Sequence, residues 1–235
     1  MLFDTHAHYD SRQFDADRDQ VLSSLPGQGV SLVVNPGCDL PSSRKAVELA
    51  RQYPFVYAAV GVHPEDCADW EDGRLLELRT LAAEPKVRAI GEIGLDYYWK
   101  ENPPRDLQQR VFRHQMELAG ELGLPVIVHD RDAHGDCMAI VREYPQVTGV
   151  LTYRNARKAV EAAQAVPLEK IMIETDSPYM APEPCRGKRC DSSLVVHTCR
   201  RLAEIKGVSL EECARITLEN GRRFFSIQEG GNGTA

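Results

Sequence analysis

The chain has 235 residues, 43% hydrophobic and 27% charged, the composition of a globular domain rather than of a fibrous or low-complexity chain. Its 35 acidic and 28 basic residues give a net charge of −7, which excludes a protein that coats nucleic acid by bulk charge but leaves room for a local phosphate site. No apolar run reaches the roughly 18 residues of a membrane span, and the first residues lack the basic and apolar regions of a secretory leader. The seven cysteines, Cys38, Cys67, Cys137, Cys185, Cys190, Cys199 and Cys213, are scattered with no CxxC pair. Neither a disulfide scaffold nor a structural zinc module is expected, and a reducing cytoplasm fits the free thiols.

Short β-rich apolar runs alternate with longer amphipathic ones. In chain order, strands are expected at Leu2–Thr5, Ser31–Asn35, Val56–Val62, Val87–Ile93, Pro125–His129, Val147–Leu151 and Lys170–Thr175. Helices are expected at Ser42–Tyr53, Arg105–Leu122, Ala133–Tyr144 and Ala156–Ala165, with Pro26-Gly27, Pro36-Gly37, Pro85 and Gly123 at the joins. Strand–helix alternation along a whole chain implies parallel strands with helical crossovers. A single domain is expected over residues 1–227, with a flexible tail at 228–235. A doubly wound sheet would carry a glycine-rich phosphate turn after its first strand, where this chain has Thr5-His6-Ala7-His8, so an α/β fold of the TIM-like (β/α) barrel type is expected. Only seven strands are found. The spacings from Pro125–His129 to Val147–Leu151, and on to Lys170–Thr175, fall short of the roughly 30 residues of a typical βα unit. The barrel is therefore expected to be distorted and to lack about one unit there.

His6-Ala7-His8 puts two imidazoles on one face of a strand, where they could grip one ion; alone, the pair is weak evidence and reads more readily as a hydrogen-bonded surface feature. Glu92, His129 and Asp176 also fall at or just past strand ends, where active sites of such barrels gather. Three histidines and two carboxylates suit Zn, Mn, Fe or Mg. A carboxylate shared by two ions suits hydrolysis of a phosphate ester.

These residues lie in a set of motifs: Phe3-Asp4-Thr5-His6-Ala7-His8, Gly61-Val62-His63-Pro64, Gly91-Glu92-Ile93-Gly94-Leu95-Asp96-Tyr97-Tyr98, Val128-His129-Asp130-Arg131-Asp132-Ala133 and Glu174-Thr175-Asp176-Ser177-Pro178-Tyr179. Arg186-Gly187-Lys188-Arg189 and Thr217-Leu218-Glu219-Asn220 lie downstream. The combination closely resembles the TatD family of metal-dependent hydrolases, a branch of the amidohydrolase superfamily, from Met1 to about Phe225. The resemblance implies a distorted (β/α)₈ barrel with a centre of two divalent ions (Zn, Mn or Mg) at its C-terminal mouth. It implies a deoxyribonuclease, mainly a 3′→5′ exonuclease on single-stranded DNA, with RNA cleaved by some members. His6, His8 and Asp176 would hold one ion, Glu92 would bridge, and His129 would bind the second. Asp176 would also orient or deprotonate the attacking water, with Glu92 the other catalytic carboxylate, and His63 would line the substrate side.

One departure stands out. The family carries a His-x-Phe-Ser-Gly motif on a further strand, whose histidine binds the second ion, and this chain has none. It passes from Gln146-Val147-Thr148-Gly149-Val150-Leu151 straight to Thr152-Tyr153-Arg154-Asn155-Ala156, as if the end of strand six, its helix and the start of strand seven had been removed after Val150. The second ion is then expected to be held weakly. Two other outcomes stay open: hydrolysis of another ester or amide at the same centre, and a catalytically impaired remnant. Arg131, Arg186, Lys188 and Arg189 are candidates for substrate phosphates. Tyr97, Tyr98 and Trp99 could stack on unpaired bases or form a hydrophobic lid. His114, His134 and His197 are expected to have surface or capping roles, and Cys185 and Cys190 no metal. No membrane partner is expected.

Overall fold

The computed structural model describes residues 1–147, 149–153 and 156–228. Six parallel strands run side by side in chain order: β1 (Leu2–Asp4), β2 (Val30–Pro36), β3 (Val56–Val60), β4 (Val87–Asp96), β5 (Val126–Arg131) and β6 (Gly149–Tyr153). The helices are α1 (Arg18–Ser24), α2 (Leu40–Gln52), α3 (Asp72–Ala82), α4 (Arg105–Leu122), α5 (His134–Glu143), α6 (Ala156–Ala165), α7 (Val195–Lys206) and α8 (Leu210–Phe224). The tail expected at 228–235 lies outside the described residues from 229 onward, as do Thr148, Arg154 and Asn155 at the junction.

Local chemistry accounts for these elements. The strands are apolar along nearly their whole length because both faces are covered, as in β4, where only Arg88 is partly exposed. α2 starts at Asp39, whose carboxylate accepts Ser42 N–H at 2.7 Å while Ser42 Oγ accepts Asp39 N–H, a reciprocal cap. Its Leu40, Ala46, Val47 and Ala50 turn one stripe inward. α4 stops at Gly123, which takes the left-handed conformation that closes a helix. Two apolar cores fill the space between helices and strands, one under α2–α5 and one under α1, α7 and α8. A third, with Phe3, Val34, Ala89, Ile127 and Phe225, fills the inside of the curved sheet. Gly221 on α8 lets that helix lie against the Phe3 ring, where a Cβ would stand only 2.7 Å from Cε1.

The expected strand Lys170–Thr175 differs. Leu168–Lys170 is a short 3-10 turn, and residues 171–175 are extended without a regular ladder. The segment still takes the position beside β1, through Thr5 N–H to Ile173 O (3.1 Å), Asp176 N–H to His6 O (2.9 Å) and His8 N–H to Ser177 O (2.6 Å). Side chains replace part of the ladder, because the Asp4 carboxylate accepts Thr175 N–H at 3.0 Å and Thr175 Oγ1–H at 2.6 Å. On the other flank, β6 pairs with β5 from Val126↔Gly149 to Asp130↔Tyr153, two residues later than the sequence pattern placed it. Between this flank and the closing segment opens a cavity of about 740 Å³, lined by Pro125, Gln146, Lys170, Met172, Asn220 and Arg223. It stands where the chain is one βα unit short, at the opposite end of the strands from the histidines.

Candidate metal centre

The residues that could bind an ion come from successive strand ends. His6 and His8 follow β1, Cys38 follows β2, His63 follows β3, Glu92 and Asp96 lie in β4, His129 lies in β5, and Asp176 follows the closing segment. All except Cys38 are buried. Asp176 is held at φ 59, a left-handed conformation that aspartate tolerates better than most residues. Gly94 lets β4 and β5 close up, since a Cβ there would lie 3.0 Å from the His129 carbonyl carbon, and this brings His129 against Glu92.

His6 Nε2 and His8 Nε2 approach to 3.0 Å. Around them lie Glu92 Oε2, at 3.3 Å from His6 and 3.9 Å from His8, and Asp176 Oδ1, at 3.8 and 3.5 Å. The other Glu92 oxygen, Oε1, lies 3.2 Å from His129 Nδ1, whose ring is anchored at Nε2 by Asp96 Oδ2 at 2.9 Å. Asp96 accepting Nε2–H leaves Nδ1 as a lone-pair nitrogen facing a carboxylate oxygen. Two acceptors at that distance need a positive species between them, a proton or a cation.

The protonation states agree. Burial disfavours imidazolium at His6, but Glu92, Glu174 and Asp176 outweigh it and raise the pKa to about 10. Burial likewise opposes charge on His129, and its bonds to Asp96 and Glu92 raise it to about 9. Burial would raise Glu92 and Asp176, yet the histidines hold both carboxyls below their usual range. His6 Nδ1 is buried without a hydrogen-bond partner among the described residues, 3.6 Å from Glu174 Oε2. Burial raises Glu174 to about 7. Paired lone-pair donors, two ionised buried carboxylates and an orphaned imidazole nitrogen fit a divalent cation. One grouping fits directly, His6 with His8 and Asp176, and Glu92 and His129 stand beside it with His63 close by.

His63 stands edge-on to His129, with ring centroids 4.3 Å apart. Its Nδ1 accepts Glu65 N–H at 3.2 Å, which leaves Nε2 to carry the hydrogen. Burial, and then the charge of His129, lower its pKa to about 3, so the ring is neutral. Arg131 lies at the mouth, 3.4 Å from Asp96 and 3.7 Å from Glu65, with its guanidinium over the Tyr98 ring. Tyr98 and Trp99 are half exposed and meet edge to face, whereas Tyr97 bonds to Gln109 and Asp136. Arg189 is tied to Asp17 at 2.6 Å and lies over Phe14; Arg186 pairs with Glu183 at 3.6 Å, and both it and Lys188 are exposed. His134 bonds to Asp130, His114 packs on Trp70, and His197 meets Arg200 on α7. Sequence reasoning singled out neither Asp96, Glu174 nor Cys38. The even spacing from Glu92 to Asp96 signals a shared strand face, and Cys38 falls at a strand end as the chosen histidines do.

The sequence profile of the TatD related DNase family matches residues 3–148 and 144–226. The two stretches meet where the chain is one unit short. A metal-dependent hydrolase of Bacillus subtilis, YabD, described as uncharacterized, is 38% identical over 255 aligned positions that cover all of it and 97% of this chain. Since 97% of 235 residues is about 228, about 27 of those positions have no counterpart here. A 3'-5' ssDNA/RNA exonuclease TatD of Escherichia fergusonii is 32% identical, covering 96% of this chain and 99% of its own. The crystal structure of YJJV, a TATD homolog from Escherichia coli K12, superposes with a TM-score of 0.88 at 25% identity, over 97% of this chain and 98% of that one.

Proposed function

The chain belongs to the TatD related DNase family of metal-dependent hydrolases, and from that premise we propose that it is a deoxyribonuclease that removes nucleotides from the 3′ end of single-stranded DNA, with water as the nucleophile. The observation that carries this reading is the division of Glu92, whose Oε2 faces His6 and His8 while Oε1 faces His129, so that this one carboxylate would serve cations held on either side. The name of the Escherichia fergusonii relative supports the substrate and polarity.

His6, His8 and Asp176 would hold one divalent ion, Zn, Mn or Mg, and His129 the second, with Glu92 between them. When bound, such ions supply Lewis acidity, lowering the pKa of the attacking water and offsetting charge that develops on the phosphate. Asp176, ionised and buried, accepts the proton of the water. His63 offers Nε2–H to a phosphate oxygen, a donor whose tautomer is set by Glu65 N–H. Arg131 adds a fixed positive charge at the mouth, and the exposed Tyr98–Trp99 pair offers a surface on which an unpaired base can stack. Arg186 and Lys188 would meet phosphates farther along the strand, whereas Arg189 serves there only on leaving Asp17.

A reading of the same centre with reduced turnover is favoured by the missing unit, which removes the His-x-Phe-Ser-Gly histidine and leaves β6 with one ladder partner among the described residues. One experiment tests both. Single-stranded oligonucleotides labelled at the 5′ or 3′ end are incubated with the metal-loaded chain, and bound metal is counted. Stepwise shortening from the 3′ end, abolished in His6→Ala, is the expected result. Two bound ions with no cleavage of any single strand would refute the nuclease reading; one ion with slow cleavage would establish the weakened second position.

A further inference from the structure

On the reading that this cluster is a metal centre, a third kind of donor stands in it. One ligand atom each from His8, Cys38 and Glu92 lie within 4.8 Å of one another, and Cys38 Sγ is 3.9 Å from His8 Nδ1. His8 follows β1, Cys38 follows β2 and Glu92 lies within β4, so the tertiary fold alone brings them together. The thiol is firmly placed. Cys38 N–H donates to Ser42 Oγ at 2.9 Å, Cys38 O accepts His63 N–H at 2.7 Å, and the neighbouring Gly37 O accepts Glu92 N–H at 2.8 Å. Gly37 packs directly on α2, since a Cβ there would stand 2.6 Å from Ser43 Cα. Cys38 is also only half buried, so an ion arriving at the mouth can reach it. Cys67, Cys137, Cys190, Cys199 and Cys213 are buried, and Cys185 joins none of these clusters.

The other donors that could enlarge the ligand set are already engaged. His63 Nδ1 receives Glu65 N–H, which leaves its Nε2 protonated and unfit as a ligand. The grouping of Glu65, Asp96 and His129 already holds the Arg131 guanidinium, which a cation would have to displace. The Cys38 sulfur, by contrast, makes its contact with His8 itself.

We propose that the Cys38 thiolate is a ligand of the ion held by His8 and Glu92, and that this sulfur makes the centre select zinc over magnesium and manganese. Thiolate and imidazole suit zinc, whereas magnesium and manganese favour carboxylate and water. As the sulfur–metal bond forms, the S–H proton leaves to solvent and no oxidation state changes.

Cobalt(II), a spectroscopic substitute for zinc, tests this in the full-length chain. Its visible bands report binding, and a near-ultraviolet thiolate-to-cobalt band reports sulfur ligation. The wild type is expected to show both, Cys38→Ser only the visible bands, and Cys185→Ser both. Zinc affinity relative to magnesium should fall by at least about tenfold in Cys38→Ser. Visible bands without the near-ultraviolet band in the wild type would overturn the sulfur ligand and leave the metal-centre reading standing. No cobalt bound would overturn both. Should Cys38→Ser fail to fold, zinc X-ray absorption on the wild type decides: a sulfur neighbour supports the proposal, and nitrogen and oxygen neighbours alone overturn it.

Discussion

Raising the pH above about 6.5 should destabilise the metal-free protein and leave the metal-loaded one nearly unchanged. Without metal, His6 has its pKa lifted from 6.5 to about 10, and His129 from 6.5 to about 9, because each faces ionised carboxylates that outweigh the cost of burial. A folded state that holds protons more tightly than the unfolded chain is stabilised fully below about pH 6.5, and loses that stabilisation as pH rises through about 9 to 10. One pKa unit is worth about 1.4 kcal/mol, so His6 alone bounds the loss at about 3–5 kcal/mol. The lowered pKa of Glu92 is the other side of the same attraction and adds nothing further. Glu174, raised to about 7, acts in the same direction between about pH 4.5 and 7. A cation displaces these protons, so its binding tightens over the same window by about as much as the metal-free fold weakens, and the loaded protein keeps its stability. Urea unfolding midpoints between pH 6 and 9, in chelator and in saturating zinc, measure both. A flat profile without metal, or parallel profiles in the two conditions, would refute the assignment of positive charge to this cluster.

Asp96→Asn leaves His129 without the carboxylate that fixes its ring, and should weaken metal binding at His129 by about 10–100-fold with the fold retained, read by isothermal titration. Gly37→Ala forces a methyl against Ser43 and should cost about 1–3 kcal/mol, read from the same unfolding midpoints; an unchanged midpoint would show that the turn can yield. Asn220→Ala removes the donor to Leu168 O (2.8 Å) and Ile171 O (2.7 Å), which positions the closing segment before Asp176. It should cost about 1–3 kcal/mol, again read from the unfolding midpoint, and lower metal affinity at the His6–His8–Asp176 grouping.

Much of this protein was written locally. The run of buried strands and amphipathic helices comes from residue patterning, and the placement of His6, His8, His63, Glu92, His129 and Asp176 at one end comes from their positions at strand ends. The shortage of one unit was legible as spacing alone, and the family profile breaks at the same place. What the sequence could not decide depends on contacts between distant segments. Lys170–Thr175 reads as a strand, yet it closes against β1 through scattered backbone bonds completed by the Asp4 and Thr175 side chains rather than through a regular ladder. Asp96 looks like part of an aromatic motif until β4 and β5 pack at Gly94 and set it against His129. Arg189 reads as a bare basic residue, and only the fold shows its guanidinium paired with Asp17, 172 positions away. Cys38 reads as one thiol among seven until β1, β2 and β4 bring its sulfur to His8 and Glu92. Patterning acts through neighbours along the chain, whereas a charge or a lone pair is defined by whatever the fold places about 3–4 Å away, and only tertiary closure sets that.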